Sequence, residues 1–129
     1  MKHLAIFKGD GAENILNGKK TIESRFSKGK IAPFGIISKG DLVYIKTSGG
    51  EIIGQFRVTK VIFFDGLNFE DLEYLKEKYG KEIASDEAYW LKVKDSKYGS
   101  LIFIGSCTRF ITSPIKVPKK DLRGWVILD

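Results

Sequence analysis

Residues 100–111, SLIFIGSCTRFI, set Leu101, Phe103 and Gly105 against Ile102, Ile104 and Ser106. Side chains alternate across a strand, so a strand here is apolar on both faces and belongs in the middle of a sheet. Such a strand needs pairing partners at both edges and cover on both faces. Four other stretches offer themselves as partners. His3–Phe7 is a compact apolar run ending in Lys8-Gly9-Asp10-Gly11, a buried first strand and its loop. After the tight turn Lys39-Gly40-Asp41, Leu42, Tyr44 and Lys46 alternate with Val43, Ile45 and Thr47, and Ser48-Gly49-Gly50 supplies a hairpin turn. The return strand runs from Glu51 to Val61 or beyond, and Gly54 inside it marks a bulge or a close backbone approach. A last strand, Gly124 to Leu128, places Trp125 in the core.

Helical patterns supply the cover. Ala12 to Asn17 is one short helix, with Ala12, Ile15 and Leu16 on one face. A second begins at the cap Asn68, carries Glu70, Asp71 and Glu73 in its first turn and Lys76 and Lys78 later, and is expected to stop at Gly80. A third starts after Ser85 and spans Ala88 to about Lys94, with Tyr89, Trp90 and Val93 as an aromatic face. Pro114 and Pro118 bracket a loop ahead of an exposed Lys119-Lys120-Asp121.

At 129 residues the chain reads as one domain, large enough to bury a core without covalent staples. Cys107 is the single cysteine, so no internal disulfide exists, which suits a reducing compartment, and in its strand it reads as a small buried hydrophobe. The sole histidine, His3, reads as a capping or surface residue. One His and one Cys cannot build a nitrogen/sulfur metal site, and nothing places His3 beside a serine for a catalytic relay, so no metal and no cofactor are expected. Met-Lys-His-Leu-Ala-Ile-Phe turns polar at Lys8, too soon for a signal peptide, and no apolar run nears the ~20 residues of a membrane span. A soluble, cytoplasmic protein with no membrane partner is the expectation.

The charge is uneven. Residues 1–64 carry eleven Lys and Arg against five Asp and Glu, whereas residues 65–129 carry eleven against eleven, so the whole formal excess of +6 lies in the first half. Within it, Gly18-Lys19-Lys20-Thr21-Ile22-Glu23-Ser24-Arg25 joins the first helical pattern to a strand. Alternation puts Ile22, Ser24 and Phe26 on a core-facing side and Thr21, Glu23 and Arg25 on the other, with Lys20 at the turn. The same charges suit a solvated strand face behind a helix C-cap; in a positive field they also suit an anionic ligand, nucleic acid foremost.

The spacing Gly-x-Lys-x-x-Glu-x-Arg formed by Gly18, Lys20, Glu23 and Arg25 resembles the signature of the ASCH family, a branch of the PUA-like RNA-associated folds. Ile37–Ile45 and Ile53–Val58 are similar to that family's following strands, and the likeness is strongest over residues 3–62. The resemblance implies an α+β, mainly β fold: a PUA-like β-barrel of about five to seven strands with two or three helices packed across one side. It also implies a basic cleft around Lys20, Glu23 and Arg25, reached by the Lys28-Gly29-Lys30 loop. An RNA or nucleotide would then have Lys20, Arg25, Lys28 and Lys30 on phosphate or carbonyl oxygens and Glu23 on base or ribose. Tyr89 or Trp90 would stack, next to Lys92. Aromatics on a helix equally well fill a core.

The alternative is a hydrolase, because some ASCH proteins are amidohydrolases on acylated cytidine and others cleave RNA. In the amidohydrolase pattern the position two before the motif arginine is a nucleophilic threonine; it is Glu23 in this chain. A carboxylate cannot take over a hydroxyl's acyl chemistry, so catalysis would need Glu23 as general base on water with Lys20 steadying the oxyanion. Ligand identity, catalysis and oligomeric state are not legible in the residues. Side-chain amides are confined to Asn14, Asn17, Gln55 and Asn68, and Lys and Glu dominate the charged surface, a composition that resembles proteins from hot environments and also the drift of an A/T-rich genome.

Overall fold

The structure, a computed structural model, describes residues 1–112 and 123–129. The proline loop and Lys119-Lys120-Asp121 lie outside the described residues. Six strands and three helices follow in the order β1 (Lys2–Phe7), α1 (Gly11–Leu16), β2 (Ile22–Ser27), β3 (Leu42–Thr47), β4 (Ile52–Asp65), α2 (Phe69–Ile83), α3 (Glu87–Lys92), β5 (Tyr98–Arg109) and β6 (Trp125–Ile127). They form one curled sheet, β2-β5-β4-β3-β1-β6, antiparallel except where β1 runs parallel to β3. This is the mainly-β, PUA-like α+β architecture that the motif resemblance implies.

Neighbouring residues of β5 enter different cores. Ile102 joins Ala5, Phe7, Val43, Ile45, Phe56 and Trp125, closed by Ala12 and Ile15 of α1. Leu101 faces the other way, with Ile22 of β2, Leu72, Leu75 and Ile83 of α2 and Trp90 of α3. The doubly apolar pattern is therefore the imprint of two layers on one strand. It holds only where β5 has partners on both sides: β2 pairs Tyr98–Phe103, and beyond that β5 has β4 alone. Cys107 sits in this outer half and is exposed, which corrects its reading as a buried hydrophobe.

Gly54 answers to close approach, since a Cβ there would stand 2.6 Å from the Thr108 carbonyl oxygen and 2.8 Å from Leu16. The capping box at Asn68 is present, with Asp71 N–H donating to the Asn68 side chain and Asn68 N–H to Asp71. The helix does not stop at Gly80. It continues to Ile83, which is fully buried, and ends on Ala84 in the left-handed region at φ 56°. Burying Ile83 outweighs the weak helix preference of one glycine, about 1 kcal/mol. The third helix is shorter than expected and is capped by Asp86, whose side chain accepts from Tyr89 N–H.

His3 is neither surface nor cap but completely buried. Trp125 Nε1–H donates to His3 Nδ1 at 3.1 Å, and an indole can only donate, so Nδ1 is the acceptor. The proton therefore sits on Nε2, which donates to Asp41 at 2.8 Å. Asp41 also receives the Ser38 amide and the N-terminal ammonium. Burial alone would raise the Asp41 carboxyl; the bonds from His3, Ser38 and the terminus hold it below its ordinary value. The cluster ties together the start of β1, the turn before β3 and the last strand.

A depressed carboxyl adds stability that is full above its unfolded value, near ~4, and is lost as pH falls through the lower folded value. Asp41→Asn should cost about 2 kcal/mol at neutral pH. In acid denaturation the variant should also decline less steeply than the wild type below about pH 4.

Candidate functional site

β2 and β6 are the two end strands of the sheet, and a side chain spans the gap between them. Arg25 of β2 donates from Nη1 to the carbonyl of Gly124, just before β6, at 3.0 Å, and from Nη2 to that of Ile6 on β1 at 3.2 Å. Its guanidinium carbon lies 5.0 Å from the Phe7 ring centroid and 5.2 Å from that of Trp125. A planar fork between two rings suits arginine and not lysine.

The charge is balanced along the same strand. Arg25 Nε donates to Glu23 Oε2 at 2.8 Å, and Lys20 Nζ stands 3.2 Å from Glu23 Oε1. Glu23 Oε1 also accepts the Ser24 amide at 3.1 Å. Lys20 is anchored in turn by the Ile83 carbonyl at the end of α2. Gly18, at φ +82°, lets the chain turn from α1 into this strand, a conformation side-chain-bearing residues resist. Lys20 and Glu23 are 5 % and 4 % exposed. Lys-Glu-Arg is thus a line of compensated charge running from α2 across β2 to β1 and the approach to β6.

Above this line opens a cleft of about 400 Å³, lined by Lys20, Glu23, Ser24 and Arg25, by Ile6, Phe7 and Lys8 of the β1 side, and by Ser85, Tyr89 and Lys92 near α3. The Tyr89 hydroxyl lies 2.6 Å from Ser24 Oγ and donates to the Ser24 carbonyl at 3.2 Å. Burial pushes the Tyr89 phenol well above its ordinary value; the Ser24 bond acts against this and the Glu23 charge with it. It therefore stays protonated at neutral pH. Lys8 and Lys92 are exposed and hold no ion pair among the described residues.

The structure brings Lys20, Glu23, Arg25, Tyr89 and Lys92 to one cleft and leaves three expected residues out of it. Trp90 is 8 % exposed and packs 6.1 Å from Phe26 in the helix-side core, so its face is not open for stacking. Lys28 and Lys30 line no part of the cleft. Their loop is held elsewhere: Phe34 packs edge-on to Phe63 and Tyr98, and Lys30 lies 3.8 Å from Asp65 and over the Tyr98 ring. Lys8, Ser24 and Ser85 were not singled out. Only the pairing of β1 into the sheet brings Lys8 to the same cleft as Lys92, and no local pattern encodes that. Among the described residues no group of His, Cys, Asp and Glu is placed to hold a metal ion, and no helix is long and apolar enough to cross a membrane.

A sheet curled around one core that α1 closes, with α2 and α3 across its other face and a cleft at its seam, defines a PUA-like domain. The profile of the ASCH domain matches residues 10–105, and the chain belongs to the ASCH domain family, which is associated with RNA binding. An ASCH protein from Zymomonas mobilis has a similar fold, with a TM-score of 0.66 and 15 % identity over 84 % of this chain and 69 % of that one. The hypothetical protein PH0355 aligns with a TM-score of 0.50 and 19 % identity over 81 % of this chain and 97 % of that one. No curated protein matches the sequence.

Lysine at position 25 can keep the charge but cannot make the three-way fork. Arg25→Lys should destabilise the fold by about 3 kcal/mol, read as a lowered thermal midpoint, and should change the tryptophan emission as the cation leaves the Trp125 ring.

Proposed function

We propose that this chain is an RNA- or nucleotide-binding module whose cleft takes one nucleotide. The observation that carries the reading is the division of charge at the cleft. Glu23, its single acidic lining residue among the described residues, is neutralised by Lys20 and Arg25, so among these residues the field at the opening is set by Lys8 and Lys92. An anion is drawn to such a site at long range and meets unspent donors on arrival. Among the described residues, Lys20 keeps one N–H beyond its bonds to Ile83 and Glu23, and Arg25 keeps two beyond its three. The volume falls within the ~300–1,000 Å³ of small-molecule sites, and Tyr89 offers a ring beside Lys92.

The geometry gives catalysis by Glu23 no support. A general base needs a free lone pair aimed at the proton it removes, and three of Glu23's four acceptor positions are taken: both on Oε1, by Lys20 and the Ser24 amide, and one on Oε2, by Arg25. Roles for Glu23 and Lys20 in holding the cleft's shape follow naturally; turnover of an acylated nucleoside does not.

Fluorescence anisotropy with a labelled single-stranded RNA tests this. Affinity should fall with salt at a log-log slope of roughly −0.7 per phosphate contact, and the double variant Lys8→Ala/Lys92→Ala should weaken binding about tenfold or more and flatten that slope. Salt-insensitive binding, or full affinity in the double variant, would contradict the reading.

A further inference from the structure

The cleft adjoins a second cavity of about 870 Å³, and Lys8, Gly11, Lys20, Ser85 and Tyr89 line both, so the two lie along one groove-shaped surface. Lys19, from the turn between α1 and β2, and Lys81, from the last turn of α2, line only this second stretch. Both are exposed and hold no ion pair among the described residues. The acids there among the described residues are Asp10 and Asp86, and one oxygen of Asp86 already caps α3. Ala84, a non-glycine residue held at φ 56°, also lines the floor, a strained conformation of the kind that clusters where ligands bind.

Resting on the binding reading above, we propose that the occupant is a length of single-stranded RNA of at least two nucleotides, and not a free nucleoside or mononucleotide. One nucleotide fills the cleft beside Tyr89, its phosphodiester crosses Lys20, and the next nucleotide's backbone runs along Lys19 and Lys81. Charge repeated along a groove is what a polyanion needs, because each nucleotide adds a phosphate at a new position. A mononucleotide has its charge at one end and would leave Lys19 and Lys81 without a contact. Lys20, buried and shared by both cavities, sits where the chain must pass from one to the other.

The test compares random-sequence oligoribonucleotides of one, two, four and eight residues on the wild type and on Lys19→Ala/Lys81→Ala, two surface positions whose change leaves the Lys-Glu-Arg line intact. Wild-type affinity should rise about tenfold or more from one residue to four, with a steeper salt dependence. The double variant should lose that gain while binding the mononucleotide as the wild type does. Equal affinity for one and eight residues, or an octanucleotide bound equally by both proteins, would overturn the groove proposal and leave the cleft reading in place. Binding of no length by the wild type would remove the cleft reading, and the groove with it.

Discussion

The seam of the sheet is bridged by one guanidinium. An open sheet has two edges with unpaired backbone groups, and a closed barrel removes them by joining its end strands through a ladder. In this protein Arg25 joins them instead, reaching from β2 to carbonyls at Ile6 and Gly124 and filling the space between Phe7 and Trp125. A side chain is longer than a backbone hydrogen bond, so the strands it connects stay apart. The separation leaves a cavity on each side of Arg25: the cleft of about 400 Å³ and a smaller one of about 160 Å³ toward Ile31, Ala32 and Pro33. The cleft is a consequence of how the barrel is closed.

That arrangement gives Lys20, Glu23 and Arg25 a double duty. A cation placed between two rings and two carbonyls is partly desolvated, and Glu23 compensates it at 2.8 Å. Glu23 in turn is held by Lys20 and by its own neighbour's amide, and Lys20 by the end of α2. The group is rigid and nearly self-neutralised, which suits the floor of a site. In the binding reading proposed above, the lysines around it, Lys8 and Lys92 at the cleft and Lys19 and Lys81 along the groove, carry the attraction.

The short-range parts of this were legible in the chain. Gly18, Lys20, Glu23 and Arg25 gave both the family and the heart of the cleft, because their spacing is local. The doubly apolar 101–104 stretch gave a central strand, and Asn68 with Asp71 gave a helix start. What failed was long-range or energetic. His3 looked like a surface residue because its partners, Asp41 and Trp125, lie 38 and 122 positions away. Gly80 looked like a stop because the burial of Ile83 cannot be read from the helix alone. Lys28 and Lys30 were drawn toward the cleft by charge, while the Phe34, Phe63 and Tyr98 rings fix their loop at the far end of β4. Trp90 showed the limit of an aromatic next to a lysine: one face of α3 packs Trp90 inward and the adjacent position presents Tyr89 to the cleft.

Titration of isotopically labelled protein with a short oligoribonucleotide, followed by amide chemical shifts, addresses the central claim most directly. The account predicts shifts concentrated at Lys8, Gly11, Lys20, Ser24, Ser85, Tyr89, Lys92 and Gly124, the lining of the larger cleft. Shifts centred on the outer face of α2, around Phe69, Glu73 and Tyr74, with the cleft amides unmoved, would contradict it.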